Sequence, residues 1–447
     1  MPLSPADRIL EARERARALV FRLGLSRSDA LAAHGVETPA PAEGGTSGAS
    51  DEGTCRRLLG ELAAGGLLRY LVPAPFGGAN EAVEVGPVAA IREELAYASG
   101  LVDLLFAMQG LGSHAITLAG TEEQKARCLP RIASGSAVAA FAVTEPEAGS
   151  DLSAIRMMAR REGDEYVLEG TKTFISNAPF ADLVTVIAQA DPARGRKGLT
   201  AFVVERRQAG FSSRGDIELV APHPIGTLVL SGCRVPARDR LGEEGEGFTI
   251  AMITLDRFRA TVGAAAVGFA RRALDEALRF ANERIQFGRP IGEFEGIQFK
   301  LADMATRLDA AQLLVTRAAH AIDRAGRSAP ARVRPDRTGP ERLGIVTGRG
   351  TVGAASSGAS ESPGAGEPVS FPLSPLGEHP SREASMAKLF ATEAAQEIVD
   401  EAVQIHGARG LVRGSVVESL YREVRALRIY EGTSEIQRTV IGRSLIA

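Results

Sequence analysis

A carboxylate near the end of the chain is the best candidate for a catalytic base. Glu431 lies in the segment I-Y-E-G-T-S-E-I-Q-R at 429–438, in an apolar context and directly before a glycine. A carboxylate removed from water has a raised pKa and can act as a base near neutral pH. The same segment is also typical of a helix start, where the helix dipole favours a glutamate, so the segment alone leaves both interpretations open.

The segment F-A-V-T-E-P-E-A-G-S-D at 141–151 combines the end of a strand with a turn that contains glycine. Thr144 and Ser150 offer hydroxyl groups, and the turn exposes backbone N–H groups that suit a flat polar ring or a phosphate. An ordinary strand and turn with polar side chains explains this segment equally well when it is taken alone.

A second combination of an aromatic ring and a hydroxyl occurs in G-T-K-T-F-I-S-N at 170–177. Phe174 suits stacking on the ring of a cofactor. Ser176 follows two residues later and is therefore expected on the same face of a strand. A hairpin with Phe174 in the core is the simpler interpretation of this segment on its own.

The segment R-I-Q-F-G-R-P-I-G-E-F at 284–294 interrupts two long helical patterns. Arg284, at the end of the first helix, suits phosphate binding because its guanidinium fork matches phosphate oxygens. A surface arginine that ends a helix explains the same position without any ligand.

The spacing of apolar residues divides the chain into three regions. Residues 1–137 have a helical pattern, residues 138–246 contain short β-rich runs, and residues 247–447 carry long apolar stripes of helical period. Short strands without helices between them predict a β-barrel or sandwich and exclude a Rossmann unit. Long helices with one apolar stripe each predict an up-and-down four-helix bundle.

Several elements can be placed more closely. A capping box of Thr121 and Gln124 predicts a helix at Glu122–Ala133, and a further helix is expected to begin near Ser434. Helices are also predicted at 5–23, at Cys55–Ala64 and around Pro87–Ala98. The predicted strands are at 138–144, 166–168, 172–175, 183–190, 199–205 and 226–231.

Two stretches lack apolar periodicity. Residues 38–52 are rich in Gly, Ser and Pro and predict a loose loop, and residues 325–380 predict a low-complexity insertion within the bundle. The insertion contains a formal G-x-G-x-x-G at 348–353. A dinucleotide site needs a strand before this motif and a helix after it, and the surrounding residues favour neither.

Composition excludes several classes of function. The 447 residues carry a net charge of −3, which gives no general attraction to nucleic acid or anionic lipid. The three cysteines are scattered, which suggests a reducing compartment and no disulfide framework or metal site. The first residues do not have the pattern of a signal peptide, and no apolar run is expected to reach the length of a membrane span. A cytoplasmic protein is therefore expected.

Together, the four segments resemble the acyl-CoA dehydrogenase family. The resemblance extends from about residue 55 to the end of the chain, except for 325–380. It implies an α+β multidomain fold with an N-terminal helical domain, a middle β-domain and a C-terminal four-helix bundle. It also implies FAD as cofactor and a homodimer or homotetramer. The implied reaction is the α,β-dehydrogenation of an acyl-CoA thioester to a trans-2-enoyl-CoA, as in the β-oxidation of fatty acids, with electrons passed to electron-transferring flavoprotein.

The resemblance also implies a role for individual residues. Glu431 would be the catalytic base. The implied FAD contacts are Phe141, Val143, Thr144, Gly149, Ser150, Phe174, Ile175, Ser176, Arg284, Phe287, Gln404, Gly407, Thr433 and Glu435. The implied acyl-CoA contacts are Ser150, Asp256, Arg259 and Gly432. Arg284 and Phe287 are expected to meet the pyrophosphate and adenine side of FAD across a dimer. No residue is assigned to a metal.

Three positions bear on these roles. Some family members carry the base on the helix near 255–259, but Phe258 stands where that glutamate would be, which favours Glu431. Glu295 stands where the family usually has a flavin-binding glutamine, and a carboxylate there would repel a phosphate. Ala408 replaces a common glycine, so the backbone is expected to approach FAD less closely.

Two other functions remain compatible with the sequence. A flavin oxidase or monooxygenase on the same fold would use O2 in place of a partner flavoprotein. A non-catalytic member that binds nucleic acid would need a basic patch on the C-terminal bundle, where the charges are mixed. Peroxide production would identify the former, and salt-sensitive DNA binding would identify the latter.

Overall fold

Helices form both ends of the chain, and a β-sheet forms its middle. A computed structural model describes residues 3–25, 51–328, 376–377 and 379–446. Most of the predicted loop at 38–52, most of the predicted insertion at 325–380 and the whole G-x-G-x-x-G segment lie outside the described residues. The predicted α+β multidomain class is confirmed.

Among the described residues, five α-helices precede the sheet. They are α1 (Pro5–Arg22), α2 (Glu52–Ala64), α3 (Val85–Ala98), α4 (Gly100–Ala119) and α5 (Glu122–Ala133). The capping box predicted from Thr121 and Gln124 is present at the start of α5. Asp51 caps α2, with its side chain accepting from the Thr54 N–H. The last two residues assigned to the loose loop at 38–52 therefore belong to a helix start.

Helix α4 corrects one expectation from the sequence. By length and composition, Gly100–Ala119 could cross a membrane, although no apolar run was expected to reach that length. Within this helix, 83% of the 18-residue apolar window is buried inside the protein. Such burial is typical of a core helix, which passes the same test of length and composition.

An eight-stranded sheet occupies the middle of the chain. Its strands are β1 (Ala139–Ala142), β2 (Met158–Glu162), β3 (Glu165–Ser176), β4 (Leu183–Gln189), β5 (Leu199–Glu205), β6 (Phe211–Arg214), β7 (Ile225–Pro236) and β8 (Arg240–Leu241). Seven strands follow the order β6-β7-β3-β2-β4-β5-β8, and β1 pairs with β4 in parallel. β4 and β5 are buried along their whole length, so they form the centre of this domain.

Strand β3 differs from the sequence prediction in a way that matters for the site. The runs 166–168 and 172–175 were predicted as separate strands, but they belong to one strand that pairs with β7. The register shifts between Leu168 and Gly170 and again between Lys172 and Ile175. Such irregularities bend a strand and change the direction of its side chains. The second shift includes Phe174, which has a positive φ of 54°.

The described part of the C-terminal region contains five further α-helices. They are α6 (Gly247–Glu283), α7 (Glu295–Ser328), α8 (Pro380–His406), α9 (Val416–Val424) and α10 (Ser434–Ile446). A two-stranded hairpin, β9 (Ile285–Gln286) and β10 (Arg289–Pro290), joins α6 to α7. Helix α7 extends to Ser328 and α8 begins at Pro380, so the first and last residues of the predicted insertion at 325–380 are helical.

Helix α6 is central to the assembly of the domains. It packs against α7 and α8 of its own domain and against α3 and α4 of the N-terminal region. Its buried face is largely alanine, which allows helices to approach closely, and the same core cluster includes Ala and Ile side chains of α8. Near its start, Phe258 enters the core of the N-terminal helices instead. Further along α6, Arg271 pairs with Glu93 and Glu94 of α3, so the contact between the two helical regions continues well beyond the start of α6.

Candidate active site

Glu431 lies in a strained turn between α9 and α10. Its φ is 52°, in the left-handed region that bulky residues rarely adopt, and the following Gly432 has a φ of 91°. Thr433 precedes α10, and its hydroxyl accepts from the Ile436 N–H at 3.4 Å. Glu431 therefore lies before the helix cap, so the interpretation of this residue as a helix-start glutamate is wrong.

Two buried side chains hold the turn. The Nζ of Lys388, on α8, donates to the Gly432 carbonyl at 2.7 Å, and the Nε2 of Gln437, on α10, donates to the same oxygen at 2.8 Å. Both side chains are fully buried. A Cβ at position 432 would lie 2.6 Å from the Gln437 Nε2, so only glycine fits there. The chain's own contacts thus fix the backbone that carries Glu431.

The carboxylate of Glu431 is buried and has no hydrogen-bond partner among the described residues. Both of its oxygens are inaccessible and unpaired, although the residue as a whole is only half-buried. Burial raises the pKa of Glu431, and the positive charges of Arg92, Lys388 and Arg259 oppose that increase. An unpaired buried carboxylate is costly, so its retention indicates a functional use.

A buried ion pair lies close enough to influence Glu431. Arg92, on α3, donates from Nε and Nη2 to the two carboxylate oxygens of Asp103, on α4, at 2.9 and 2.8 Å. Its Nη1 donates to the Thr261 hydroxyl on α6 at 3.0 Å. Arg92 and Asp103 are 2% and 3% exposed, so this pair is shielded from solvent screening. It joins three helices from two domains beside the turn.

The predicted acyl-CoA contacts Asp256 and Arg259 lie on the first part of α6. Their side chains form an ion pair with each other. The Ser381 hydroxyl donates to Asp256 Oδ2 at 3.1 Å, and Arg259 reaches the Ser385 hydroxyl at 3.5 Å. Arg259 is buried and its charge acts on Glu431, whereas Asp256 is half-buried. The structure thus places both of them on the α6–α8 side of the Glu431 turn.

A second group of predicted residues meets at the ends of β1 and β3. The Thr173 N–H donates to the Thr144 carbonyl at 3.0 Å, which joins the two predicted segments directly. Phe174, 57% exposed, presents its ring to the surface between the buried Lys172 and Ile175. Thr144 and Ser176 are half-buried. The exposed ring of Phe174 and the hydroxyl-bearing residues Thr144 and Ser176 therefore lie together at the ends of β1 and β3, a place called the sheet edge below.

A buried lysine supports this edge from behind. The Nζ of Lys172 donates to the Val143 carbonyl at 2.9 Å and to Glu145 Oε1 at 2.8 Å. Glu145 also accepts from the backbone N–H groups of Arg156 and Met157. Gly149 and Ser150 follow in the exposed part of the same turn. The Lys172–Glu145 pair therefore anchors both ends of the loop that carries the predicted flavin contacts.

The hairpin residues lie at the opposite end of α6. The Arg284 N–H caps that helix by donating to the Phe280 carbonyl at 2.9 Å. Phe287, at the tip, is 93% exposed with a φ of 51°. The Phe280 ring stacks on His406 with centroids 4.3 Å apart. This contact brings the hairpin beside the end of α8, where the predicted contacts Gln404 and Gly407 lie.

The predicted site residues thus form three groups. The first group surrounds Glu431 and contains Gly432, Thr433, Glu435, Asp256 and Arg259. The second group is the sheet edge, from Phe141 to Ser150 and from Phe174 to Ser176. The third group lies at the ends of two helices and contains Arg284, Phe287, Gln404 and Gly407. In the described part of the chain, no hydrogen bond or ion pair joins the Glu431 turn to the sheet edge. Phe141 provides the nearest link, since it packs against the same core as Phe258.

Sequence reasoning missed four residues of these groups. Lys388 interrupts the apolar stripe of α8, and a charged residue in such a stripe is a usable signal. Arg92 and Asp103 carry no comparable signal, because their pairing depends on how α3 and α4 pack. His223 contacts Ser176 across 47 residues, and only the pairing of β3 with β7 reveals it.

Sequence profiles match nearly the whole chain. The profile described as acyl-CoA dehydrogenase, N-terminal domain, matches residues 40–136, and that of the middle domain matches 140–233. The profile of the C-terminal domain matches 245–334 and 374–446. The interruption between these two parts coincides with most of the predicted insertion.

Several known proteins are similar over most of their length. A 3-(aryl)acrylate reductase of Clostridium sporogenes is 37% identical over 88% of this chain and 90% of its own. An acyl-CoA dehydrogenase of Bacillus subtilis is 35% identical over 87% and 89%. The caffeyl-CoA reductase–Etf complex subunit CarC of Acetobacterium woodii is 34% identical over 88% and 90%.

Solved structures give the same result. The butyryl-CoA dehydrogenase of Megasphaera elsdenii has a TM-score of 0.79 and 28% identity, with all of both chains covered. The three profiles cover the helical, sheet and helical regions in the order that the structure shows. This chain therefore belongs to the acyl-CoA dehydrogenase family, a family of FAD-binding oxidoreductases.

Proposed function

We propose that the chain catalyses the α,β-dehydrogenation of an acyl-CoA thioester, with Glu431 as the base. The buried, unpaired carboxylate of Glu431 carries the proposal. Its pKa is raised by burial, which brings a weak base closer to the range in which it can take a proton from carbon. The strained turn that holds it is typical of functional sites, where the surrounding contacts maintain an unfavourable conformation.

The residues at the sheet edge fit FAD. Phe174 exposes its ring from a backbone conformation that a phenylalanine rarely adopts, and the hydroxyls of Thr144 and Ser176 lie on the same edge. An aromatic face with nearby donors suits a flat polar ring such as isoalloxazine. The residues that would hold it are those from Phe141 to Ser150 and from Phe174 to Ser176. When bound, FAD supplies the acceptor for the hydride that leaves the β-carbon.

The protein's own part in the reaction is to remove the α-proton and to stabilise the charge that develops. The carboxylate of Glu431 takes the proton. Among the described residues, the backbone N–H of Glu431 has no hydrogen-bond acceptor, so it is available to donate to the thioester carbonyl. Donors placed where negative charge develops make a large contribution to such reactions. Lys388 and Gln437 hold the turn that carries this N–H by donating to the carbonyl of the following residue, Gly432.

Burial and the nearby positive charges have opposite effects on the protonation of Glu431. Burial favours the neutral acid, whereas Arg92, Lys388 and Arg259 favour the carboxylate. The pKa of Glu431 stays above the ordinary glutamate value, but the three cations make it lower than burial alone would. Asp256 and Arg259 would contact the acyl-CoA, together with Ser150 and Gly432. Thr433, Glu435, Gln404 and Gly407 would complete the FAD contacts.

The exposed hairpin supports an assembly of more than one chain. Phe287 is 93% exposed and Ile285 is 51% exposed at one end of the molecule. In a homodimer or homotetramer, Arg284 and Phe287 would cover the pyrophosphate and adenine side of a neighbour's FAD. The similarity to a subunit of a reductase–Etf complex supports electron-transferring flavoprotein as the redox partner. A cytoplasmic location and a role in β-oxidation complete the proposal.

A second candidate is the reverse reaction, reduction of an α,β-unsaturated acyl thioester. The names of similar proteins favour it, because three relatives of 34–37% identity are named as reductases of acrylate, acryloyl-CoA or caffeyl-CoA. The same side chains serve both directions, since a Glu431 that removes the α-proton can also return it. The direction then depends on the redox partner and on the substrate.

The experiment is a screen of CoA thioesters in both directions. FAD-loaded protein is assayed with saturated acyl-CoAs of graded length and a dye acceptor, and with enoyl-CoAs and a reduced electron carrier. Dehydrogenase activity with the dye, and little peroxide in air, is the expected result. Dominant peroxide formation would identify an oxidase. FAD-loaded protein inactive with every thioester in both directions would contradict the proposal.

A further inference from the structure

We propose that His223 is a positioning residue that fixes the hydroxyl of Ser176 at the face of the cofactor. The inference rests on the proposed function, because Ser176 has a role only if FAD occupies the edge formed by β1 and β3. The chemical consequence is a change in the balance between oxidised and reduced flavin, brought about through one hydroxyl group.

The contact is direct. The Nε2 of His223 lies 2.8 Å from the Oγ of Ser176, within ordinary hydrogen-bond distance. Both residues are half-buried, and Ser176 is two positions after the exposed Phe174. Ser176 thus has His223 as a protein partner and is itself one of the residues proposed to line the flavin.

The backbone around His223 is stiff. Pro222 and Pro224 flank it, which removes two N–H groups and restricts the conformation of His223 to the extended region. The Pro224 carbonyl accepts from the Asn177 N–H at 2.6 Å. Ser176 pairs with Ile225 at the start of β7. The imidazole is therefore held beside Ser176 by the two residues that follow it and by the strand pairing.

The irregular stretch of β3 gives Ser176 its place. The register shifts between Lys172 and Ile175, and Phe174 and Asn177 both have positive φ values, 54° and 63°. The Thr173 N–H leaves the pairing with β7 and donates to Thr144. The shift thus brings the end of β3 against the end of β1 while Ser176 stays paired to the strand that follows His223.

The protonation state of the ring defines what this contact can do. Burial lowers the pKa of His223 to about 4, so the ring is neutral near pH 7. A neutral imidazole has one nitrogen that donates and one that accepts. If Nε2 accepts, the serine hydrogen points at His223 and the serine oxygen can only accept from other groups. If Nε2 donates, one lone pair of the serine oxygen is occupied and its hydrogen is left to donate elsewhere.

Such a fixed hydroxyl distinguishes two forms of a flavin. The oxidised ring presents acceptor nitrogens along its edge, whereas the reduced ring carries an additional N–H donor. A hydroxyl whose hydrogen is held by His223 can only accept, whereas one that accepts from His223 keeps its hydrogen for donation, and each arrangement stabilises one flavin form more than the other. A net hydrogen bond changes such an equilibrium by roughly two- to tenfold. For a two-electron couple, tenfold corresponds to about 30 mV.

The test measures the flavin midpoint potential in four FAD-loaded proteins: wild type, His223→Phe, Ser176→Ala and the double variant. Phenylalanine keeps a ring of similar shape without its nitrogens. Both single variants are expected to shift the potential in the same direction, by up to about 30 mV, and His223→Phe is expected to have no further effect in the Ser176→Ala background. His223→Gln, which keeps an amide donor and acceptor, is expected to restore part of the shift.

Two outcomes would overturn the inference. An unchanged potential in His223→Phe would show that the contact does not reach the cofactor. Equal shifts in the presence and absence of the Ser176 hydroxyl would show that His223 acts by another route. The unfolding temperature and FAD affinity of each variant serve as structural controls. If wild type binds no FAD, the proposed function itself fails. If wild type binds FAD and is active, but the shifts of the two single variants add up in the double variant, only the role of His223 fails.

Discussion

Glu431 and Phe287 share an unfavourable backbone conformation but lie in opposite surroundings. Their φ values are 52° and 51°, and each conformation costs roughly 1–3 kcal/mol. Beside Glu431, the buried side chains of Lys388 and Gln437 donate to the carbonyl of the following residue, Gly432. At Phe287, the ring is 93% exposed, and its aromatic neighbour in the described part of the chain is Phe294, with centroids 6.0 Å apart.

The difference indicates which parts of the site a single chain completes. Strain persists where the surrounding structure maintains it, and the Glu431 turn has that support within the chain. The Phe287 hairpin lacks it, so its support is expected from the cofactor or a second chain. The region that performs the chemistry is thus prepared in advance, and the region that contacts the far end of FAD becomes complete on assembly.

The largest effect within this comparison is expected from Lys388→Met. It removes one of the two donors to Gly432 and one of the cations near Glu431. Turnover should fall by roughly 10- to 100-fold, because small displacements of a reacting group cost up to that factor. Since the Lys388 charge lowers the pKa of Glu431, its loss should move the acidic limb of the pH–rate profile to higher pH.

The matched control is Lys388→Gln, which keeps a donor but not the charge. It should recover part of the turnover while the acidic limb stays displaced. The pKa of Lys388 is itself lowered to about 8 by burial, so wild type should lose the influence of this charge above that pH. A Lys388→Met protein with the wild-type pH–rate profile and turnover would show that the turn does not need the hydrogen bond from Lys388 to Gly432.

A smaller effect is expected from Phe287→Ala. Because the ring is almost fully exposed, its removal should change the free energy of unfolding of the single chain by less than about 0.5 kcal/mol. Affinity for FAD should fall about tenfold, with a larger fraction of dissociated chains, if a neighbour provides the support. Flavin titration and light scattering measure both. A loss of stability without any change in FAD affinity would place the support of Phe287 within its own chain.

The third effect concerns the stability of the folded protein and has a defined pH dependence. Because the pKa of Glu431 is raised in the folded protein, its contribution to stability is fully present below the ordinary glutamate pKa and is lost as pH rises through the raised value. Glu431→Gln stays neutral, so it should be more stable than wild type near pH 8, by about 1.4 kcal/mol per unit of pKa elevation.

This stability difference should shrink towards pH 4.5. Urea unfolding at several pH values measures it, and Glu14→Gln, which changes an exposed glutamate in α1, is the control. A Glu431→Gln protein that is equally stable, or less stable, at high pH would contradict the burial of an unpaired carboxylate.

Features that depend on residues close together in the sequence could be predicted. The capping box of Thr121 and Gln124 and the start of α10 at Ser434 were predicted, because the signals lie within one helical turn. Strand β2 was missed because its sequence, M-A-R-R-E, is mostly charged and largely exposed. Alternation of apolar residues cannot reveal a strand with mostly charged, exposed side chains, even when that strand lies between two others in the sheet.

The site was predicted in its parts and not in its arrangement. The carboxylate of Glu431 could be selected from its apolar context, but the sequence left its burial undecided. The Arg92–Asp103 pair depends on how two helices pack, and the His223–Ser176 contact depends on strand register. These contacts join residues that are distant along the chain or on different elements, where local patterns carry no information.

The most direct test of the account is a single turnover of Glu431→Gln. FAD-loaded variant, wild type and Glu14→Gln, a change of an exposed glutamate on α1, are each mixed rapidly with a saturated acyl-CoA that wild type oxidises, and loss of flavin absorbance is followed. The account predicts that Glu431→Gln keeps bound FAD and loses its reduction rate by about 10²- to 10⁴-fold, while Glu14→Gln stays close to wild type. Near-normal flavin reduction by Glu431→Gln would contradict the role of this carboxylate as the base.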